Sequence, residues 1–121
     1  MLATIPLGIW VTHTATAMTG NTKARCESVA QPVHTVIVKN GIVSPAHTVA
    51  KQCDTLTIIN EDDRIRLMAF GPHDNHISYD GISERALGPG QSLTVKLIRV
   101  GTFPFHDHED SNVAGAFTVS D

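Results

Sequence analysis

Short runs of alternating apolar and polar residues, separated by turn residues, fill the chain from Pro32 onward. In DTLTIINEDD, Leu56 and Ile58 fall on the side opposite the threonines, and QSLTVKLIRVG repeats the pattern with Leu93 and Val95. Side chains of an extended chain alternate between its two faces, so a period of two predicts β-strands that bury one face.

The segments between these runs predict how the strands connect. Asn40-Gly41 ends the run HTVIVKNG and predicts a hairpin, because both residues tolerate a positive φ. Pro45 suits an edge or a bulge in the following run, IVSPAHTVAKQ. RIRLMAF, GTFPFH and VAGAFTVS complete the set, whereas Gly71 to Gly90 shows no sustained period and is expected to be a functional or disordered loop. The pattern predicts an all-β, two-sheet antiparallel sandwich of about eight strands with Greek-key connections, and no helix longer than a turn or two.

Composition supports this architecture and narrows the partners. A chain of 121 residues has room for one domain, and its wealth of residues branched at the β-carbon favours strands. The formal net charge is -3, with 9 Lys+Arg against 12 Asp+Glu, so the chain lacks the basic excess that nucleic acids or anionic bilayers attract. No nucleic-acid partner is expected.

The first residues are typical of an export leader. Residues 1–31 are interpreted as a signal-like segment and linker, with Ala15-Thr16-Ala17 matching a signal-peptidase pattern, and residues 32–121 as the domain. The segment has no basic residue before its apolar run, so a truncated or misassigned start is the alternative. Pro6, Gly8 and His13 interrupt it, and no stable membrane span is expected. The resulting prediction is an extracytoplasmic protein, whether periplasmic, secreted or at the cell surface.

Two cysteines, Cys26 and Cys53, are present. An even count in a small exported domain favours one disulfide, which would tie the N-terminal segment to the body. The alternative is two unpaired thiols.

Histidine carries the candidate chemistry, with seven residues in a short chain. His106 and His108 lie at the i, i+2 spacing that puts both side chains on one side of a strand, while Asp107 points away. His73 and His76 have the i, i+3 spacing of a turn. We expect the two pairs to meet across the gap between the sheets, at the end where loops cluster. His13, His34 and His47 stand alone, and no metal-binding role is expected of them.

Four imidazoles predict a metal site. Nitrogen ligands hold Cu(II) more tightly than zinc, and a tetragonal nitrogen set suits Cu(II), so copper is the expected ion with zinc as the alternative. Asp74, Asp107 and Glu109 are expected to accept ring N–H groups around the ligands, and the alternative is that one of them is a weak oxygen ligand. The other charges near these motifs are expected to be solvated. They are Asp110, the run Glu61, Asp62 and Asp63, and the residues Arg64, Arg66, Glu84 and Arg85.

From about Val33 to Val119 the sequence resembles the cupredoxins. The resemblance rests on DTLTIINEDD, LGPGQSLTVKLIRVGTFPFH and the terminal VAGAFTV. FGPHDNHISYDG and FHDHED are similar to motifs of cupredoxin-like proteins that carry HxxH and HxH pairs where the blue-copper ligands would be. The resemblance implies a cupredoxin-like Greek-key fold, export, and a metal site at the loop end.

The same resemblance implies that the blue-copper ligands are replaced. The cysteine position corresponds to Asp107, the later histidine to Asp110, the methionine to Val113, and the upstream histidine falls near Arg66. Without a thiolate a type 1 copper site is excluded.

The sequence therefore leaves several functions open. The leading hypothesis is a non-blue, mononuclear copper protein that serves in electron transfer or in copper holding and delivery, with a redox or copper-trafficking protein as partner. A copper-dependent oxidoreductase acting on superoxide or peroxide is the second hypothesis, although no substrate pocket is visible in the sequence. A zinc-bound or metal-free binding module is the third. Motifs of hydrolases and of nucleotide binding are absent from the sequence.

Overall fold

Two β-sheets enclose a single core in the computed structural model, which describes residues 19–28 and 31–121. The strands are β1 (Val33–Lys39), β2 (Ile42–Ser44), β3 (His47–Lys51), β4 (Thr55–Asn60), β5 (Arg66–Phe70), β6 (Glu84–Leu87), β7 (Ser92–Lys96), β8 (Gly101–Asp107) and β9 (Asp110–Ser120). The all-β sandwich is confirmed. Of the predicted leader and linker (residues 1–31), residues 1–18, with Ala15-Thr16-Ala17 and His13, and residues 29–30 lie outside the described residues.

The order of strands departs from a purely antiparallel sandwich. One sheet has the order β2-β1-β4-β7 and the other β3-β9-β8-β5-β6. Most neighbours are antiparallel, but β1 and β4 are parallel, and so are β3 and β9. The chain leaves the first sheet after β2, contributes β3 to the second, and returns as β4 beside β1, which makes that pair parallel. The prediction of antiparallel sheets was wrong for these two pairs.

The core follows the predicted alternation. Leu56 and Ile58 of β4 face inward, as do Leu93 and Val95 of β7. Against them the five-stranded sheet packs aromatic rings. Phe70 has its ring centroid 6.5 Å from that of Phe105 and 6.1 Å from that of Phe117. Burial of this apolar surface is the main stabilising contribution to the sandwich.

The predicted hairpin is present. Asn40 and Gly41 take φ values of 55° and 72° and join β1 to β2. Pro45 follows β2 after a cis peptide bond with Ser44, at the point where the chain passes from one sheet to the other. Pro45 was interpreted from the sequence as an edge or bulge residue. In the structure it lies at the crossover between the two sheets.

A nine-residue helix, α1 (Thr19–Glu27), precedes the strands, and it is longer than the sequence analysis allowed. Its sequence, TGNTKARCE, has no apolar stripe that would have predicted it. Cys26 and Cys53 are joined by a disulfide, as expected, which ties α1 to the turn between β3 and β4. Lys23 adds an ion pair with Asp80, 2.8 Å from its carboxylate. Among the described residues no helix has the length and apolarity needed to cross a membrane.

Candidate metal centre

The histidine pairs meet at one end of the five-stranded sheet. His106 and His108 come from the end of β8, and His73 and His76 from the connection between β5 and β6. Phe105 points into the core, so its neighbour His106 faces the other side of the sheet. Both pairs thus belong to one sheet and its loop. The expectation that they meet across the gap between the two sheets was wrong.

Three ring nitrogens converge at this place. His76 Nε2 lies 3.2 Å from His106 Nε2 and 3.2 Å from His108 Nδ1. One ligand atom from each of the three residues falls within 4.8 Å of the others. We call His76, His106 and His108 the histidine cluster. Donor atoms around a tetrahedral ion at about 2.0–2.1 Å are separated by about 3.3 Å, which the two separations that include His76 Nε2 approach.

The register of β8 sets the direction of two of these rings. A bulge between His106 and Asp107 interrupts the pairing with β9, and the backbone N–H of His108 donates to the carbonyl of Leu67, 2.7 Å away. His106 and His108 both reach the site, while Asp107 points away from it. The i, i+2 prediction for this pair thus describes the observed arrangement.

His106 is the buried member of the cluster. Its Nδ1 lies 3.1 Å from the carbonyl oxygen of Gly71, to which it donates a proton, so Nε2 is left with its lone pair facing the cluster. Burial lowers the pKa of His106, and the neighbouring His76 adds to this effect, as do His73 and His108, while the bond to Gly71 opposes it. His106 therefore favours the neutral form, which is the form that binds metal.

The turn at Gly71 brings His76 over the sheet. Gly71 has a φ of 89°, and a Cβ there would overlap the backbone nitrogen of Ile77. The Ile77 N–H donates to the carbonyl of Phe70, 3.0 Å away, and closes the loop directly after His76. A residue with a side chain would strain this conformation and open the loop. Glycine is thus required for His76 to reach the cluster.

His73, the fourth predicted histidine, lies beside the cluster. Its ring centroid is 5.4 Å from that of His106 and 6.1 Å from that of His108, and its side chain is exposed. The structure therefore brings all four predicted histidines together, with His73 as the outermost.

A carboxylate that the sequence analysis treated as surface charge belongs to the site. Glu84 Oε1 lies 3.5 Å from His108 Nδ1 and 3.7 Å from His76 Nδ1. Glu84 begins β6, the strand that was missed because it lies in the irregular stretch from Gly71 to Gly90. ERAL offers only four residues of weak strand preference, and nothing in the sequence signalled its pairing with β5.

The predicted carboxylate partners do not occupy the expected positions. Asp107 Oδ1 accepts the backbone N–H groups of Leu67 and Glu109, and its Oδ2 accepts Arg66 Nη1 at 3.1 Å. Asp74 and Glu109 are exposed, and within residues 31–121 neither carboxylate lies at ion-pair distance from a histidine. The N–H acceptor of His106 is instead a backbone carbonyl, which sequence reasoning about side chains cannot find.

A buried ion network lies on the core side of β8. Arg66 binds Asp62 through Nε and Nη2, at 3.1 and 2.8 Å, as well as Asp107. Asp62 also accepts the backbone N–H groups of Asn40 and Gly41 in the β1–β2 turn. We call Asp62, Arg66 and Asp107 the charged brace. The charged brace links the β1–β2 turn of one sheet to β5 and β8 of the other. Its side chains are buried, so the expectation that Asp62 and Arg66 are solvated was wrong.

The charged brace has a stable charge state. Burial acts to raise the pKa of Asp62, but hydrogen bonds from Arg66 and from the Gly41 and Asn40 N–H groups outweigh it and lower the pKa. Asp62 is therefore ionised throughout the neutral range and remains paired with the guanidinium of Arg66.

The isolated histidines that the structure describes have local partners. His34 Nε2 lies 2.8 Å from Asp54 Oδ2, and His47 Nε2 lies 2.7 Å from Thr118 Oγ1. Neither belongs to the cluster.

Comparison with known proteins establishes the fold. No protein-family model matches the chain, and no curated protein matches it in sequence. Among solved structures, a purple cupredoxin from Nitrosopumilus maritimus is similar, with a TM-score of 0.62 and 17% identity over 71% of this chain and 98% of that one. A reduced tryptophan-to-tyrosine variant of amicyanin gives a TM-score of 0.63 and 17% identity over 78% of this chain and 89% of that one. The chain therefore has a cupredoxin-like fold.

Proposed function

We propose that this protein binds one copper ion through His76, His106 and His108, with His73 beside them, and uses it in electron transfer or in copper holding and delivery. The observation that carries the proposal is the approach of three imidazole nitrogens, with separations of 3.2 Å about His76 Nε2. Uncharged nitrogen donors that are already close together bind a cation without the cost of assembling the site.

Copper is favoured by the donor set and by the fold. Imidazole nitrogen ligands bind Cu(II) more tightly than the other divalent ions of the first transition row. The similar amicyanin structures include a reduced Cu(I) form and an oxidised form. Zinc, which also takes imidazole ligands, is the alternative ion.

We further propose that the site is not a blue one. Both cysteines of the chain are joined in the disulfide far from the cluster in sequence, so neither offers a thiolate. The resemblance to cupredoxins implies that the cysteine ligand corresponds to Asp107 and that the upstream histidine falls near Arg66, and the side chains of Asp107 and Arg66 form an ion pair of 3.1 Å. The charged brace would then stand where the resemblance expects blue copper.

Accessibility bears on the use of the ion. His106 is buried, whereas the side chain of His108 is 46% exposed. An exposed edge allows electron exchange or transfer of the ion to a partner protein. The same open side supports a second candidate function, a copper-dependent oxidoreductase acting on superoxide or peroxide. Dismutation by the copper-loaded protein would separate this candidate from a site used only for electrons or for copper transfer.

We propose an extracytoplasmic location. The disulfide between Cys26 and Cys53 supports it, because such bonds persist in oxidising compartments and are rare in the cytosol. A periplasmic, secreted or surface-bound copper protein fits this setting. Cell fractionation checks the location, and recovery of the protein in the cytosol with free thiols would contradict it.

The test of the proposed function is a Cu(II) titration followed by electron paramagnetic resonance. We expect one equivalent to bind, with nitrogen hyperfine structure and a weak visible band. Replacing His106 and His108 together by alanine should abolish this binding, whereas His47→Ala, remote from the cluster, should leave it unchanged. Equal binding by the double variant would exclude the cluster as the site. A chelator-competition assay and voltammetry would then separate copper delivery from electron transfer.

A further inference from the structure

Sheet register places Glu84 on the same face as the histidine cluster. Ala69 of β5 pairs with Glu84 on one side and with His106 on the other, and His106 pairs with Ala114 of β9. Residues directly opposite each other in antiparallel strands project to the same face, so these four side chains form one row across the sheet. Ala69 is small and buried, which leaves room for the Glu84 side chain to extend over it toward the rings.

The distance from the Glu84 carboxylate to the nearest nitrogen of the histidine cluster is similar to the distances between the cluster nitrogens. Glu84 Oε1 to His108 Nδ1 is 3.5 Å, His108 Nδ1 to His76 Nε2 is 3.2 Å, and His76 Nε2 to His106 Nε2 is 3.2 Å. Each distance is near the separation of about 3.3 Å between two ligands of a tetrahedral ion, although Glu84 Oε1 stands outside the group of three ligand atoms that lie within 4.8 Å of one another and has to move toward the ion. The side chain of Glu84 is 36% exposed, so rotation about its bonds can bring the oxygen onto the ion.

His73 is less well placed for the same position. Its exposed ring has centroid distances of 5.4 and 6.1 Å from those of His106 and His108, against 5.0 and 4.8 Å for the ring of His76. Charge also favours Glu84 over His73 as the fourth ligand. Three neutral imidazoles leave both positive charges of a divalent ion uncompensated, whereas a carboxylate compensates one of them.

We infer that Glu84, rather than His73, supplies the fourth ligand, which gives a site of three nitrogens and one carboxylate oxygen. This inference rests on the proposed metal binding by His76, His106 and His108 and specifies its ligand set. His73 remains an unbound ring at the rim of the site.

The experiment compares Glu84→Gln with His73→Gln in the full chain, with Cu(II) as the probe. Calorimetric titration measures affinity, and paramagnetic resonance counts the coordinated nitrogens. Glu84→Gln should weaken Cu(II) binding by more than about 100-fold, beyond the roughly 10–100-fold that loss of an outer hydrogen-bond partner of a ligand costs. His73→Gln should keep the wild-type affinity and three nitrogens. Loss of one nitrogen and of affinity in His73→Gln, with normal binding by Glu84→Gln, would overturn the inference.

Two further variants exclude indirect effects. Glu109→Gln removes an exposed carboxylate near the same end of β8 and should leave affinity unchanged. Glu84→Asp keeps the charge but shortens the side chain by one methylene, and it should restore only part of the affinity. Full restoration would mean that charge alone suffices, which would contradict ligation by Glu84. Metal-free unfolding midpoints of all variants should agree with wild type, because these side chains lie on the surface.

The same data separate this inference from the proposed function. If the wild-type protein binds no Cu(II), or binds it equally after His106 and His108 are replaced, both the proposed function and the ligand set fail. If wild type binds through the cluster and Glu84→Gln binds equally well, the ligand set alone fails.

Discussion

Arg66 Nη1 lies 3.1 Å from Asp107 Oδ2. Asp107 stands in sequence between two members of the histidine cluster, His106 and His108. Asp107 follows His106 in sequence, and its other oxygen accepts the backbone N–H groups of Leu67 and Glu109. The ion pair therefore fixes the backbone at the bulge from which His106 and His108 project. The ion pair thus contacts the end of β8 on its core side, and the histidine cluster lies on its outer side.

Removal of the central cation should destabilise the fold. Arg66→Met leaves Asp62 and Asp107 buried without their partner, and loss of one member of a buried pair costs about 3–5 kcal/mol in the free energy of unfolding. Urea unfolding of the metal-free protein measures the change. The control is Arg64→Met. Arg64 is exposed, and its ion pair with the exposed carboxylate of Asp63 is long at 3.9 Å, so its loss should change stability little. Equal effects of the two substitutions would contradict the buried role of Arg66.

Stability should fall in acid because of Asp62. The pKa of this carboxyl is lowered in the folded protein, so its stabilising contribution is complete above the unfolded value of about 3.9 and is lost as the pH falls through the lower folded value. Asp62→Asn should reduce the difference between the free energies of unfolding at pH 7 and pH 3. Asp63→Asn, at an exposed neighbouring carboxylate, should leave that difference as in wild type. A reduction of equal size in both variants would argue against the assignment.

Substitution of Gly71 should damage the site more than substitution of another glycine with a positive φ. Gly71→Ala and Gly81→Ala carry similar backbone strain, with φ values of 89° and 79°. A Cβ at Gly81 meets nothing within 4 Å, whereas one at Gly71 would overlap the nitrogen of Ile77. We expect Gly71→Ala to lose about 1–3 kcal/mol more than Gly81→Ala.

The Gly71→Ala variant should also bind Cu(II) more weakly, because the Gly71 carbonyl holds Nδ1 of His106. Urea unfolding and copper titration of both variants measure the two effects. Similar stability and affinity in the two proteins would show that the loop adapts without moving His76 or His106.

The disulfide should contribute to stability through its loop. Cys26 and Cys53 are separated by 27 residues, and closing a loop of this size in the unfolded chain is worth about 3.5 kcal/mol. The double variant Cys26→Ser with Cys53→Ser should lower the free energy of unfolding by that amount. Reduction of wild type should produce the same change. An unfolding midpoint that is insensitive to both treatments would mean that the tether of α1 does not support the body.

The sequence alone determined the β-sandwich and the chemical character of the site. Period-two alternation in runs such as DTLTIINEDD fixes which side chains face the core, because a shift of one residue would expose them all. Asn40-Gly41 determines its hairpin for an equally local reason, the tolerance of positive φ. The i, i+2 spacing likewise determines that His106 and His108 project together. These features depend on neighbours in the chain and are therefore visible in the sequence.

Tertiary structure decided which groups accompany the histidines and which charges are buried. Arg66 resembles a surface residue until the fold brings Asp62 and Asp107 to it, from 4 and 41 positions away. Glu84 becomes part of the site only through the register of β6 against β5, after a loop without period. Such contacts between distant segments depend on strand order and register. Both are determined by how all the strands of a sheet pair, so a local sequence pattern does not encode them.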